Sequence, residues 1–374
     1  MSEAAAAIPS PTEVATRVRI EVERARRRNI KGLDFLIADR AAVGAMARDL
    51  IHRDGTAMTY RYRPVETEIY RTPLLIVTPP SNKGYIFDLA SGQSFVEFML
   101  QRGYDVYLLD WASPRRDEAH LGLEDYARFI DQAVASVGKA SGEPDVTIAG
   151  YCMGGTLTTI YAAMNPGGPM RNMIGFATPI DFTEMKLFQR WADQRWFDLD
   201  KIVDDLGIIP PDIMLGAFDL ARPANRISGQ INLWTQMWND DFVKSYRMFD
   251  RWAAETLPVP GEYFRGQIRN LMWENGLFEN IFEVAGQRLD IKSITAPILN
   301  ITAIHDHIVS YDAAKPLMTM TGSTDCEEIV SKGGHVSLVA GPAALRRLWP
   351  LIDTWLGKRL PMGRLRHLEV PQAR

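Results

Sequence analysis

The sequence contains few cysteines and no long apolar run. Only Cys152 and Cys326 occur among 374 residues, so a disulfide framework is excluded and a reducing compartment is the simpler expectation. No stretch reaches the roughly 18 uncharged apolar residues of a membrane-spanning helix. The N-terminus also lacks a basic start followed by an apolar core, which a secretory signal needs. We therefore expect a cytoplasmic protein without a transmembrane segment.

A strong excess of one charge is missing as well. The formal net charge is −4, which gives no reason to expect nucleic acid or an anionic membrane as the main partner. The six histidines show no metal-ligand spacing such as His-Glu-x-x-His, so we predict no metal. The basic run Arg24–Arg28 is interpreted as a solvated helix face.

Apolar strand-like runs alternate with amphipathic helical segments through much of the chain. This rhythm is typical of a mostly parallel sheet with right-handed crossovers and helices on both faces. The predicted strands are residues 56–64, 73–78, 104–110, 146–150, 173–178, 297–304 and 327–331, and the main predicted helices are residues 13–28, 92–102, 123–139, 157–163 and 343–356.

The rhythm changes between residues 179 and 296, where strand-like runs vanish and tryptophans appear among helical segments. We interpret this stretch as a mostly helical cap inserted into a core made of residues 31–178 and 297–374. Residues 1–30 are predicted to be a disordered or helical extension. The cap could cover a reaction site, or it could be a helical decoration packed by its own tryptophans.

The stretch Val146–Gly155 carries the strongest functional signal. An apolar run ends at Gly-x-Cys-x-Gly and gives way to a helix-prone segment. In the α/β-hydrolase nucleophile elbow, a reactive side chain lies on a tight strand-to-helix turn between small residues, a role that Gly150 and Gly154 fit. The sequence therefore predicts an α/β-hydrolase fold with Cys152 as nucleophile, in place of the usual serine.

A thiol nucleophile needs a base, and the base needs a group that orients it. This fold supplies them in the order nucleophile, acid, histidine. Asp306 follows the strand ending near residue 304, and His335 follows the last strand within Gly-Gly-His. We predict Asp306 as the acid and His335 as the base. Asp312 is interpreted as a helix N-terminal residue. Asp290 is not favoured as the acid, because it comes before the predicted strand at residues 297–304 instead of directly after it.

The remaining candidates receive weaker predictions. His305 and His307 flank Asp306 and retain a possible chemical role, while Cys326 is expected to pack at the start of the final strand. Surface or packing roles are expected for His52, His120 and His367. The oxyanion hole of this fold uses the backbone N–H after the nucleophile and one from the loop after the third strand. Here these are Met153 and a residue of Pro80–Lys83, assigned to Ser81.

Several motifs together resemble a known family. They are Asn82-Lys83-x-Tyr85-Ile86-x-Asp88-Leu89, Gly103-Tyr-Asp105-Val106-Tyr107-Leu-Leu-Asp110-Trp111, Gly150-Tyr-Cys152-Met-Gly154-Gly155, His305-Asp306-His307-Ile and Gly333-Gly334-His335. This series resembles the polyhydroxyalkanoate synthases from about Lys31 to Leu356. The short length is similar to that of class III or IV catalytic subunits.

The resemblance implies an acyltransferase that polymerises (R)-3-hydroxyacyl-coenzyme A, with short-chain substrates such as 3-hydroxybutyryl-coenzyme A expected. Cys152 would take the acyl group, and the hydroxyl of another unit or chain end would attack it. In the family, the matching aspartate is proposed to help activate that hydroxyl, so Asp306 has two possible roles: this one, or orienting His335. No cofactor is implied, since coenzyme A enters and leaves with the substrate.

The resemblance also implies partners: the growing polyester chain, a second synthase subunit (PhaE-like or PhaR-like), a second copy in a homodimer, and the surface of a polymer granule. Two other functions fit the same motifs. One is a cysteine-type hydrolase, either an intracellular polyester depolymerase or an acyl thioesterase. The other is a catalytically silent relative that binds granules or a partner, against which the complete set of Cys152, Asp306 and His335 argues.

Overall fold

The computed structural model describes residues 10–37, 40–221, 223–360 and 365–367. The chain divides into two compact units, one made of Met1–Ala41 and Arg222–Arg251, the other of Ala42–Ala221 and Trp252–Arg374. The predicted boundaries of core, cap and extension stay a prediction. Within the described ranges, no helix is both long enough and apolar enough to cross a bilayer.

The larger unit is built on an eight-stranded sheet with the order β1-β2-β5-β4-β6-β7-β12-β13. Pairs β1–β2 and β2–β5 are antiparallel, and the remaining neighbours are parallel. The strands are β1 (Arg48–Asp54), β2 (Ala57–Tyr62), β3 (Glu68–Tyr70), β4 (Leu74–Val77), β5 (Val106–Trp111), β6 (Val146–Tyr151), β7 (Met170–Phe176), β8 (Ile208–Ile209), β9 (Val259–Pro260), β10 (Glu283–Val284), β11 (Gln287–Arg288), β12 (Ile298–Ala303), β13 (Cys326–Ser331) and β14 (Leu365–His367).

The central strands are buried on both faces. Every residue of β4, β5, β6 and β12 is buried, which explains why they appear in the sequence as continuous apolar runs rather than as alternating patterns. Each of the seven predicted strands is present. Strand β1 was not predicted, because it is a charged strand at the edge of the sheet with little burial.

The helices are α1 (Pro11–Ile37), α2 (Phe95–Leu100), α3 (Leu123–Ser141), α4 (Met153–Met164), α5 (Lys186–Trp191), α6 (Leu199–Leu206), α7 (Pro211–Ala221), α8 (Pro223–Gln236), α9 (Asp240–Ala254), α10 (Gly261–Gly266), α11 (Tyr311–Ala314), α12 (Pro316–Thr319), α13 (Pro342–Arg347) and α14 (Trp349–Arg359). Helix α3 shows how the local sequence sets the bounds. The Asp125 carboxylate accepts the Gly122 N–H at 2.7 Å before its first turn, and Gly142 ends the helix with φ 71°.

The segment between β7 and β12 is mostly helical, in line with the composition that predicted a cap. It also contains two short ribbons that the sequence did not reveal, formed by β8 with β9 and by β10 with β11. Their strands are two residues long, too short to produce a periodic pattern. A π-helical stretch, Gln267–Trp273, continues α10.

The smaller unit contains α1, α8 and most of α9. Arg24 lies 4.6 Å above the ring of Trp238, and Phe35 lies 6.5 Å from Tyr246. Helix α1 is longer than predicted at both ends. The predicted disorder before Ser10 lies outside the described residues, as does the side chain of His367.

Candidate active site

Cys152 lies on the turn between β6 and α4. Its φ and ψ angles are 51° and −123°, a conformation that costs a non-glycine residue about 1–3 kcal/mol and that clusters at functional sites. The Cys152 N–H donates to the Phe176 carbonyl at 2.9 Å, which ties the turn to the neighbouring strand. The thiol is only partly buried. The sequence therefore folds here as a nucleophile elbow.

Glycines allow the strand and helix of this elbow to approach closely. A Cβ atom at Gly150 would lie 2.4 Å from the Gly155 Cα, and one at Gly154 would lie 2.3 Å from the Val77 carbonyl oxygen. Both contacts are with backbone atoms, which cannot move away as a flexible side chain could. This close approach is the physical reason for small residues on both sides of Cys152.

Asp306 and His335 meet at the carboxyl ends of β12 and β13. The two strands run parallel, so the loops that follow them emerge at the same edge of the sheet. The His305 N–H donates to the Gly333 carbonyl at 2.9 Å and joins these loops. His335 Nδ1 lies 2.7 Å from Asp306 Oδ2. The structure thus brings the predicted acid and base together.

The carboxylate of Asp306 is held from both sides. Its Oδ1 accepts the N–H groups of Ile308 and Val309 at 2.8 and 2.9 Å, while Oδ2 faces His335. The Asp306 side chain has no exposed surface, and that of His335 is 9% exposed. The ring orientation of His335 is therefore set by a buried acceptor, which leaves Nε2 as the nitrogen that can serve Cys152.

Opposing effects act on the pKa of His335. Burial alone would lower the pKa, because the charged imidazolium loses hydration. The charge of Cys152 as a thiolate, the hydrogen bonds with Asp306 and Cys152, and the charge of Asp306 outweigh burial and raise the pKa of His335 to about 10. This environment favours the protonated imidazolium form of His335.

Several known proteins are similar to this chain. A family profile described as "alpha/beta hydrolase fold" matches residues 89–342, and one described as "Poly-beta-hydroxybutyrate polymerase (PhaC) N-terminus" matches residues 40–99. The chain is 32% identical to a poly(3-hydroxyalkanoate) polymerase subunit PhaC of Allochromatium vinosum, with 88% of this chain and 94% of the relative covered. It belongs to the PhaC polymerase family.

Another PhaC relative, the poly(3-hydroxyalkanoate) polymerase subunit of Haloferax mediterranei, is 30% identical, with 86% of this chain and 66% of the relative covered. Among solved structures, a soluble variant of monoglyceride lipase from Saccharomyces cerevisiae has a TM-score of 0.52 at 16% identity, over 86% of this chain and 97% of the lipase. The lipase supports the fold alone. The α/β-hydrolase fold and the synthase resemblance predicted from the sequence are confirmed.

Two backbone N–H groups of this PhaC chain point to an oxyanion hole. Among the described atoms, neither the Met153 N–H nor the Ser81 N–H donates a hydrogen bond. Met153 opens α4 directly after Cys152, and Ser81 lies in the loop after β4, which neighbours β6. The two N–H groups that the fold is expected to use for the oxyanion hole therefore donate no hydrogen bond among the described atoms. Their assignment to the oxyanion hole stays a prediction.

Tyr151 is a site residue that the sequence reasoning missed. Its ring lies 4.9 Å from the His335 ring at an interplanar angle of 33°. The residue is 1% exposed, and its hydroxyl has no hydrogen-bond partner among the described atoms. Burial, followed by the charges of Cys152 and Asp306, raises the pKa of Tyr151 well above its ordinary value. The only signal was its position directly before Cys152.

Three of the other sequence candidates, Asp312, Asp290 and Cys326, make local structural contacts. Asp312 lies in the first turn of α11, which Ser310 caps, and Asp290 caps a short 3₁₀ turn. Cys326 begins β13, with its Sγ 3.8 Å from the Met318 carbonyl. Within the described ranges, no three His, Cys, Asp or Glu side chains are placed to hold a metal ion.

Proposed function

We propose that this chain polymerises 3-hydroxyacyl groups, taken from their coenzyme A thioesters, into polyhydroxyalkanoate with release of coenzyme A. Cys152 is the nucleophile, His335 the general base and acid, and Asp306 the residue that orients His335. The observation that carries this proposal is the thiol on the elbow beside the buried His335–Asp306 pair, in a chain of the PhaC family.

In the first step, the Cys152 thiolate attacks the thioester carbonyl. The developing oxyanion accepts hydrogen bonds from Met153 and Ser81. The carbon–sulfur bond to coenzyme A then breaks, and the leaving thiolate takes a proton from His335. One thiolate has replaced another of similar basicity, so this exchange is nearly balanced and the acyl group stays activated.

In the second step, the hydroxyl of another unit or chain end attacks the acyl-Cys152 carbonyl. His335 takes the hydroxyl proton, an oxoester bond forms, and Cys152 leaves as a thiolate. Formation of an oxoester from a thioester is downhill, which drives chain growth. A serine at position 152 would form its own stable oxoester in the first step and lose this driving force.

For Asp306, we propose positioning rather than direct activation of the hydroxyl. Its two carboxylate oxygens already accept the N–H groups of Ile308 and Val309 and face His335. The side chain has no exposed surface through which a substrate hydroxyl could reach it. Contact with His335 is therefore the role that this geometry supports.

Polymerisation requires that a hydroxyl reach the acyl-enzyme while water is excluded. The cap segment contributes Tyr263 on α10, which is 2% exposed. Burial, then the neighbouring Tyr126 and then the charge of Cys152 raise the pKa of Tyr263 well above its ordinary value. A buried aromatic side chain that interacts electrostatically with Cys152 supports a site with restricted access to water.

Incubation with 3-hydroxybutyryl-coenzyme A tests the function. We expect coenzyme A release together with insoluble polyester, and an acyl adduct on Cys152 by mass spectrometry. Cys152→Ala is the control, since it keeps the elbow and removes the thiol. Free 3-hydroxybutyrate released in step with coenzyme A, without polymer, would overturn polymerisation in favour of hydrolysis. Comparison with 3-hydroxyoctanoyl-coenzyme A tests the proposed preference for short chains.

We also propose that the chain acts as a homodimer with a second synthase subunit at the polymer surface. Both relatives carry the word "subunit" in their names, which supports a partner. Light scattering of the purified chain tests the dimer. Turnover with and without a synthase second subunit, and sedimentation with polymer granules, test the other two expectations. A monomer that keeps full polymerising activity alone would contradict the first two.

A further inference from the structure

The loop that carries Ser81 is anchored to the sheet at one side. We call this loop, Pro79–Asp88, the oxyanion loop. The Asp110 carboxylate accepts the Gly84 N–H at 2.9 Å and approaches the partly exposed Arg48 at 3.3 Å, so a buried carboxylate holds the middle of the loop. The Lys83 ammonium also donates to the Trp111 carbonyl at 3.3 Å. These contacts fix the loop from the β5 side.

A second segment holds the same loop from the cap. We call this segment, Trp252–Leu257, the cap strap; it begins in the last turn of α9. The Leu257 N–H donates to the Ser81 carbonyl at 2.7 Å. The Trp252 indole N–H donates to the Lys83 carbonyl at 2.9 Å.

A side-chain pair adds a third bond between the cap strap and the oxyanion loop. The Tyr85 hydroxyl donates to the Glu255 carboxylate at 2.8 Å. Trp252 and Leu257 are buried, with 8% and 5% exposure, so their bonds are shielded from water. An open loop would otherwise be mobile. Three hydrogen bonds from the six residues of the cap strap indicate that it holds the oxyanion loop in a fixed position.

Oxyanion stabilisation depends on the position of the donor. A donor must lie about 2.7–3.1 Å from the developing oxyanion, and displacements of about 1 Å have large effects on rate. Ser81 carries both the unused N–H and the carbonyl that Leu257 holds. The location of the Ser81 N–H is therefore set by the strap as much as by the sheet.

We propose that the cap strap positions the oxyanion loop for thioester cleavage, with Trp252 and the Tyr85–Glu255 pair as positioning residues. The inference rests on the proposed function, since it assumes that Ser81 supplies an oxyanion donor. It adds that the cap sets the geometry of the site in addition to covering it. A displacement of the carboxyl end of α9 would then lower the acylation rate without altering the Cys152–His335–Asp306 cluster.

Two reactions of Cys152 separate this role from a general structural one. Acylation by 3-hydroxybutyryl-coenzyme A passes through an oxyanion and needs the hole. Alkylation by iodoacetamide displaces iodide at a saturated carbon and forms no oxyanion, so it reports the thiolate alone. A variant that misplaces only the oxyanion loop should slow acylation and leave alkylation unchanged.

The variants are Trp252→Phe, which keeps the ring and removes the indole N–H, and Tyr85→Phe, which removes only a hydroxyl. Loss of a whole oxyanion donor costs roughly 10²–10³ in kcat. For the loss of one of three holding bonds, we expect about a tenfold fall in kcat with KM unchanged. Glu255→Ala should act like Tyr85→Phe, while Glu255→Gln, which keeps an acceptor oxygen, should restore acylation.

Trp273→Phe is the matched control. Its indole N–H donates to the Ala192 carbonyl at 2.6 Å, a bond between two residues of the cap segment. This variant should keep the wild-type acylation rate. Melting temperatures of all variants identify general destabilisation.

The inference fails if Tyr85→Phe and Trp252→Phe acylate at the wild-type rate, or if alkylation falls in the same proportion as acylation. It also fails if Trp273→Phe is as slow as Trp252→Phe. The proposed function fails separately, if the wild-type chain takes no acyl group on Cys152 from the thioester. That outcome appears in the wild-type measurement, before any variant is compared.

Discussion

Replacing Asp306 by asparagine tests the arrangement of the site, because it changes only one carboxylate oxygen to an NH₂ group. The carboxylate accepts three N–H groups, two from Ile308 and Val309 on Oδ1 and one from His335 on Oδ2. An asparagine has only one acceptor oxygen. Turning its NH₂ toward the two backbone donors would leave both unsatisfied in a buried place, at about 1–3 kcal/mol each. The amide oxygen therefore stays on Ile308 and Val309, and the NH₂ group faces His335.

This orientation forces the opposite tautomer on His335. In the neutral ring, Nδ1 must then accept a hydrogen bond, so the ring proton moves to Nε2, and the nitrogen available to Cys152 becomes a donor that cannot take a proton. The imidazolium form also loses the carboxylate charge and hydrogen bond of Asp306, which help to raise the pKa of His335. The same exchange in a Ser-His-Asp triad lowers kcat roughly 10⁴-fold. We expect a loss of similar size for thioester cleavage, at least about 10³-fold.

The assay follows free coenzyme A with a thiol reagent and acyl-Cys152 by mass spectrometry. Asp312→Asn is the matched control, because Asp312 is an exposed residue in the first turn of α11, and it should keep the wild-type rate. Urea unfolding should show a folded Asp306→Asn protein, since the asparagine oxygen still accepts the N–H groups of Ile308 and Val309. An Asp306→Asn protein that is folded and within about tenfold of the wild-type rate would refute the tautomer argument.

Three further predictions follow from other parts of the structure. Cys152→Ser should take the acyl group as a stable oxoester and lower polymer formation by roughly 10²-fold or more, so intact mass should show an accumulated acyl-enzyme; rapid turnover by the serine variant would contradict the thioester argument. Burial raises the pKa of Asp88 from 3.8 to about 6. Between these two pKa values the folded protein keeps the Asp88 proton while the unfolded chain loses it, so the free energy of unfolding should fall by roughly 3 kcal/mol from about pH 4 to about pH 7. Asp88→Asn should remove this part of the slope in urea titrations, and equal slopes in both proteins would argue against it. Gly154→Ala, whose Cβ would lie 2.3 Å from the Val77 carbonyl oxygen, should destabilise the protein by about 1–3 kcal/mol or more. Gly357→Ala is the matched control, because it has open space around an exposed helical position, and it should stabilise the protein by about 0.5–1 kcal/mol. Thermal unfolding compares the two variants, and equal stabilities would contradict the packing argument.

The local sequence determined the elements that position the chemistry. The continuous apolar runs of β4, β5, β6 and β12 indicated buried parallel strands, because both faces of such strands are covered. The small residues around Cys152 indicated the elbow, since the close approach of β6 and α4 leaves no room for a Cβ. The family resemblance rested on the same short motifs. Each of these signals is contained within about ten residues.

Tertiary structure decided which residues meet. The 2.7 Å contact of His335 with Asp306 depends on the parallel pairing of β12 with β13, and the Tyr85–Glu255 bond joins residues 170 positions apart. Neither periodicity nor turn chemistry encodes such pairs, because these signals describe only near neighbours in the chain. The place of Tyr151 against His335, the hold of the cap strap on the oxyanion loop, and the polar edge strand β1 became visible only once the chain was folded. The sequence by itself thus predicted Cys152, Asp306 and His335 by their order in the chain, whereas only the folded chain brought His335 to 2.7 Å from Asp306.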